Sequence, residues 1–339
     1  HFQKGQLEAI TGIRERRFWD PDFKMHSGAI KAAKKALADS NVTPDEIGML
    51  IYGGVCRDNL EPATACAVGD GLGLTSQTQI YDVSNACLGI LNGMVQVANA
   101  IELGQIRAGL VVSCESARQI MDTTIERLLK TANMDVFKKT VATLTGGSGA
   151  VAVVLTDSSL SAGGHRILGG VARNATAFHK LCTWGPDTGI PASGLHIMET
   201  DSVGVLKNGV TLGIETFAAF RKELSWTDEQ PDKVICHQVG ATHQHAALAG
   251  QHPLPAKLVA GGLGLAPVFQ QHRGAARAHG DLRGQRIADL TDQNDVWRFA
   301  QGVLQCLLIG QGIQSDFPLV DQRLLVWVHE LDRVFYGEY

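Results

Sequence analysis

The sequence predicts an α/β protein built on a mainly parallel sheet. Helical and strand-like patterns alternate through the first 160 residues, as they do in βαβ units. The strand-like runs are short and apolar along their whole length, which suits strands covered by helices on both faces. Hydrophobic residues make up 45% of the 339 and charged residues 19%, with 38 Gly and only 10 Pro, so the chain packs rather than staying disordered or fibrous.

Taken in order, residues 27–40 (SGAIKAAKKALADS) carry Ala, Ile and Leu at helical spacing with lysines on the other face. The TPDE at 43–46 resembles a cap before a short turn. Strands are expected over 47–55, 79–83, 109–113 and 150–155. Between the second and third lies 86–104 (ACLGILNGMVQVANAIELG), whose first charge is Glu102. Its polar residues Asn92, Gln96, Asn99 and Glu102 share one narrow stripe, so this is expected to be a helix buried over most of its circumference. A Gly- and Ser-rich connector after Asp157 marks a boundary, giving one half over 1–160 and a second over 165–295. The second half is expected to hold a helix around 210–224 and a strand at 233–236 that leads into His237. Residues 251–339 have one Lys, seven Arg and ten Gln, a composition shift that secondary structure alone does not explain.

A formal charge of −4 gives no net field toward nucleic acid or an anionic membrane. No run reaches about 18 strongly apolar residues, so no membrane span is expected. Seven scattered cysteines without CxxC pairs argue against a disulfide framework or a zinc site and fit a reducing cytoplasm. The chain does not begin with Met, and the expectation is that further sequence precedes His1.

Cys87 follows a strand at the first turn of the buried helix. There the peptide dipoles and unsatisfied N–H groups are expected to lower its pKa and favour thiolate, making it a candidate nucleophile. The plainer reading is a small buried hydrophobe, which is also the reading for the other six cysteines. His237, at a strand end in ICHQVGATHQH, suits the base or cationic partner of a nucleophile. His243 and His245 lack a further ligand at metal spacing, so no metal is expected. Glu61, in RDNLEPATA, is a loop carboxylate that alone reads as a solvated charge or a helix cap. The TGGSGA at 145–150 lacks the lysine of a phosphate-binding loop and reads as close backbone packing.

Together, TGIRERRFWD (11–20), RDNLEPATA (57–65), DVSNACLGILNGM (82–94), GGSGAVAVVL (146–155) and ICHQVGATH (235–243) resemble the thiolase-superfamily condensing enzymes, within them the 3-oxoacyl-acyl-carrier-protein synthase III group. The resemblance covers about residues 8–260. It implies a duplicated βαβαβαββ thiolase-like fold layered α/β/α/β/α, a homodimer, and fatty acid or lipid biosynthesis as the setting. It also implies an acyl group carried as a thioester on Cys87 after transfer from acyl-CoA, with His237 matching the family histidine. Coenzyme A thioester enters as substrate and no resident cofactor is implied. A malonyl-thioester on acyl carrier protein is one candidate second substrate. Glu61 in LEP is similar to the glutamate that the olefin-pathway enzymes, which condense two acyl-CoAs head to head, insert from the neighbouring subunit to abstract an α-proton. That tilts the expectation toward non-decarboxylative Claisen condensation. Transfer of the acyl group from Cys87 to an alcohol, amine or water, and a non-catalytic paralogue subunit, are the alternatives.

The family's third catalytic residue, an Asn about 30 residues beyond the His, is not readable in 264–274 (GLAPVFQQHRG). Its loss removes a donor to the developing enolate, on the order of 3 kcal/mol of transition-state stabilisation. Codons for Gln270, Gln271, His272 and Arg273 read one base later can spell Ser-Asn-Ile-Gly, so the hypothesis is a reading-frame slip in the coding sequence, which would leave 296–339 as a tail that does not match the family.

Overall fold

The computed structural model describes residues 5, 7, 8, 13, 15–160, 165–186, 196–226, 269–271 and 285–286. Four strands make the centre of the sheet: β1 (Ile47–Gly53), β2 (Gln79–Val83), β3 (Ala108–Glu115) and β4 (Gly149–Thr156). The helices α1 (Met25–Ser40), α2 (Thr64–Leu72) and α3 (Gly89–Glu102) lie in chain order before and between the first three strands. Next come α4 (Arg118–Thr131) and α5 (Met134–Thr140), which join β3 to β4. The remaining elements are β5 (His165–Ile167), β6 (Cys182–Pro186), β7 (His196–Thr200), α6 (Ser202–Glu223), β8 (Phe269–Gln271) and β9 (Gln285–Arg286).

The seven-stranded sheet runs β2-β1-β3-β4-β9-β5-β8. Both β2 and β3 pair with β1 in parallel, whereas β4 pairs with β3 antiparallel over its full length. The sheet is therefore mixed, which corrects the expectation of a mainly parallel one. The cause is the two-helix excursion α4–α5, which returns the chain in the opposite sense. The connector after Asp157 also differs from expectation, since it contains strand β5.

Alternation along each strand builds two cores. Leu50 and Tyr52 of β1 point with Leu110 and Val112 of β3 toward α1 and α2, where Ala29, Ala33, Ala36 and Val68 are fully or almost fully buried. Met49 and Ile51 point with Val111 to the other face, where Ile90, Leu91, Met94 and Val97 of α3 cover them. Each large apolar side chain buried in this way contributes about 1.5–3 kcal/mol. The expected stripe on α3 is present, with Asn99 and Glu102 exposed and Gln96 accepting the Tyr81 hydroxyl at 2.8 Å.

Smaller expectations also meet the structure. The Glu46 carboxylate accepts the Thr43 N–H at 2.9 Å, the expected cap of the 43–46 turn. A side chain at Gly146 would stand 2.8 Å from the Ala117 methyl, so the glycine-rich turn serves close packing. The helix expected around 210–224 begins earlier, at Ser202, with Asp201 accepting the Gly204 N–H as its cap. Among the described residues no helix is long and apolar enough to cross a membrane. Most of the proposed second half, including the strand at 233–236, and all of the 296–339 tail lie outside the described residues.

Candidate active site

Cys87 occupies a tight strand-to-helix turn. Strand β2 ends at Val83, and the chain passes Ser84 and Asn85 into a single 3-10 turn, Ala86–Leu88, before α3 begins at Gly89. Ala86 adopts φ 43°, a left-handed conformation unfavourable for a residue with a Cβ, and such strain persists only where the surroundings impose it. Those surroundings are the end of β1. A side chain on Gly89 would lie 2.8 Å from the carbonyl carbon of Gly53, so only two glycines allow the backbones to meet there. The turn is closed by the Gly54 N–H donating to the Val83 carbonyl at 3.1 Å and by Asn85 Nδ2 donating to Asn92 Oδ1 at 2.6 Å.

The thiol does not have the depressed pKa that a helix start suggests. Burial first, then the neighbouring Cys182 and Glu115, push it up to about 11 against the pull of its own backbone N–H. Desolvation of the anion outweighs the dipole of one helix end. Reactivity at neutral pH therefore needs a proton acceptor beside the sulfur. Cys182, at the start of β6, is near enough to act on the thiol. Trp184 Nε1 is buried there without a hydrogen-bond partner among the described residues.

Glu61 stands elsewhere, at the tip of the loop 54–63 that joins β1 to α2. The preceding Leu60 is 97% exposed and Glu61 is exposed as well, with a cis bond to Pro62. Within one subunit Glu61 is not among the charges that act on the Cys87 thiol. His237, and likewise His243 and His245, lie outside the described residues. So does the 264–274 region expected to carry the Asn, apart from the backbone of β8.

Three carboxylates that the sequence reading passed over shape this region. Glu115, 3% exposed at the end of β3, accepts the N–H groups of Val55 at 2.6 Å and Cys56 at 3.2 Å. Burial raises its pKa against the pull of those donors and of Arg57. Asp58 accepts the N–H groups of Met25 at 2.8 Å and His26 at 2.9 Å, and meets His26 Nδ1 at 2.7 Å. Burial would raise its pKa, yet these His26 and Met25 contacts hold it below the usual carboxylate range. Asp82, five residues before Cys87, accepts the N–H groups of Thr64 and Ala65 at 2.9 Å each. A charged residue closing a fully buried strand with no other charge, as in AGLVVSCE, is the one sequence signal that points to Glu115.

The model of the family 3-Oxoacyl-[acyl-carrier-protein (ACP)] synthase III matches residues 81–174, the span that holds Cys87 and strands β3 and β4. Fold and match together define a thiolase-superfamily condensing enzyme, an acyltransferase. The acyl-CoA:acyl-CoA alkyltransferase of Shewanella oneidensis is 49% identical over 256 residues, 75% of this chain and 73% of that protein. Its counterpart from Xanthomonas campestris pv. campestris is 37% identical over 254 residues, 75% and 72% of the two chains. Among solved structures, a Cys-to-Ser variant of Xanthomonas campestris OleA with bound lauric acid and lauroyl-CoA superposes with a TM-score of 0.68 at 36% identity, covering 77% of each chain. Its Glu-to-Gln variant reaches 0.69 at 36% identity, covering 77% of this chain and 75% of that one. The chain belongs to the acyl-CoA:acyl-CoA alkyltransferase family of condensing enzymes. In those two OleA variants the replaced glutamate and cysteine are 26 residues apart, as Glu61 and Cys87 are here.

Proposed function

We propose that this chain joins two acyl-CoA molecules head to head by a non-decarboxylative Claisen condensation, with a second acyl-CoA rather than a malonyl-thioester on acyl carrier protein as the carbanion source. The observation that carries the reading is the pair formed by Cys87, on a strained strand-to-helix turn, and Glu61, 26 residues earlier on a projecting loop.

In the first step His237 takes the Cys87 proton and the sulfur attacks the thioester carbonyl of one acyl-CoA. The bond to the coenzyme A sulfur breaks, and coenzyme A leaves with the proton returned by the imidazole. A thiol with a pKa of about 11 makes that proton acceptor necessary near neutral pH. In the second step the Glu61 carboxylate removes an α-proton from the other acyl-CoA. The carbanion attacks the acyl-Cys87 carbonyl, a C–C bond forms, and the C–S bond to Cys87 breaks. The α-proton taken by Glu61 is released to the Cys87 thiolate, which restores both groups and leaves a 3-oxoacyl-CoA beside the coenzyme A freed in the first step. His237 also serves as a donor to the developing oxyanion.

The exposure of Leu60 and Glu61 supports a homodimer in which the loop of one protomer serves the Cys87 of its partner. Lauroyl-CoA tests the whole reading. Mass spectrometry is expected to show a lauroyl adduct on Cys87 that is lost in Cys87→Ser, and a condensed 3-oxoacyl product made without any malonyl donor. An adduct that only hydrolyses, with no condensed product at saturating lauroyl-CoA, would refute it.

A further inference from the structure

We propose that Asp82, together with Asp58 and Glu115, is a positioning residue that mounts the Glu61 loop as a fixed prong. The inference rests on the reading of Glu61 as the α-proton base.

The segment 54–65 is held at three places, and each anchor is a carboxylate that takes two backbone N–H groups. Glu115 from β3 holds the start, at Val55 and Cys56. Asp58 ties the middle to the first residues of α1, at Met25 and His26. Asp82 from β2 holds the end, at Thr64 and Ala65. None of the six N–H groups belongs to 59–63, so the tip carrying Leu60 and Glu61 stands free between fixed supports. Hydrogen bonds to an ionised carboxylate are about twice as strong as neutral ones, so such supports resist displacement.

Helix capping alone does not explain the arrangement. A helix that needs only a cap takes it from its own N-cap position, usually Ser, Thr, Asp or Asn. Here the N-cap of α1 is Lys24 and that of α2 is Ala63, and neither provides a side-chain cap. Both helices take their acceptor from afar, 33 residues along for Asp58 and 18 for Asp82. Asp82 is 4% exposed and lies on the strand that runs into the Cys87 turn, with Arg57 Nη1 of the loop 3.8 Å from it. Loop, helix and nucleophile strand are thus tied through one side chain.

The experiment separates the two half-reactions of the full chain with lauroyl-CoA as probe. Asp82→Asn keeps one acceptor oxygen and loses the charge. Acylation of Cys87, read as first-turnover release of coenzyme A, is expected to stay within about twofold of wild type. Condensed product is expected to fall roughly 10- to 100-fold, the scale of an ångström-sized misplacement. Combining it with Glu61→Ala is expected to bring no further loss. Ala63→Asp in the Asp82→Asn background supplies a local cap to α2 and is expected to restore thermal stability without restoring condensation. Acylation and condensation falling together, or condensation restored by Ala63→Asp, would overturn the positioning role. Should Asp82→Asn not fold, Asp58→Asn gives the same readout from the middle anchor. A wild-type condensation rate in Glu61→Ala defeats the base reading itself, and that outcome does not depend on Asp82.

Discussion

Two strand-to-helix junctions of the same sheet carry the proposed chemistry, and they are built by opposite means. Between β2 and α3 the chain needs five residues, 84–88, and holds its turn by bringing two glycine backbones into contact. Between β1 and α2 it takes ten, 54–63, and holds them with carboxylates that accept N–H groups. The first junction half-buries a thiol; the second exposes a carboxylate. A nucleophile that must be reached by one substrate gains from a fixed, partly desolvated seat. A base that must reach outward gains from a long arm with stiff supports.

The largest expected difference between the junctions comes from Glu61→Ala. Loss of a general base typically costs about 10²–10⁴ in rate. Condensation should fall by that range while acylation of Cys87 proceeds unchanged, as measured by product yield against adduct formation. Equal loss in both steps would show that the two junctions do not divide the reaction.

Gly89→Ala strikes the other junction. The new methyl would meet backbone atoms of Gly53 and Gly54 at 2.8–3.0 Å, and neither can yield as a flexible side chain would. Overpacking of this kind costs about 1–3 kcal/mol, which urea denaturation should reveal despite the better helix propensity of alanine. Here acylation should suffer first, by about 10²-fold, because it is the sulfur that is displaced. Unchanged acylation in a destabilised protein would refute the claim that this contact seats the thiol.

A pH series sharpens the contrast further. The Cys87 thiol is raised to about 11, so its thiolate fraction, and with it the rate of alkylation by iodoacetamide, should climb about tenfold per pH unit through the neutral and mildly alkaline range. Cys182 is one cause of the rise, so Cys182→Ser should lower the thiol pKa and speed alkylation at fixed pH. A flat profile around neutrality would mean that the thiol is ionised already. The smallest effect belongs to Leu60→Ser, expected to change stability by less than about 0.5 kcal/mol because this side chain is exposed in the single chain.

Much of the architecture was legible in the sequence because it is local. The strand 79–83 was readable from its own residues and its bounds coincide with those observed, and β1, β3 and β4 differ only by one or two residues at their ends. The helices α4 and α5 were not singled out. In α4 only Ile120, Met121 and Thr124 are buried while Ile125 and Leu129 are exposed, so no clean apolar stripe distinguishes it. The location of Cys87 on a strand-to-helix turn was readable, but the direction of its pKa shift was not. The dipole argument uses neighbours in sequence, whereas the burial and the Cys182 thiol that oppose it come from the folded chain. Asp82, Asp58 and Glu115 were missed for the same reason, since their donors lie 17 to 60 residues away.

The tie between Asp58 and the first turn of α1 has a practical corollary for anyone redesigning this enzyme. Transplanting the stretch from β1 through β3 onto a foreign scaffold would carry the sulfur and the carboxylate across yet sever a mooring 33 residues upstream. The graft would contain both of these groups and lack the bracket that aims one of them.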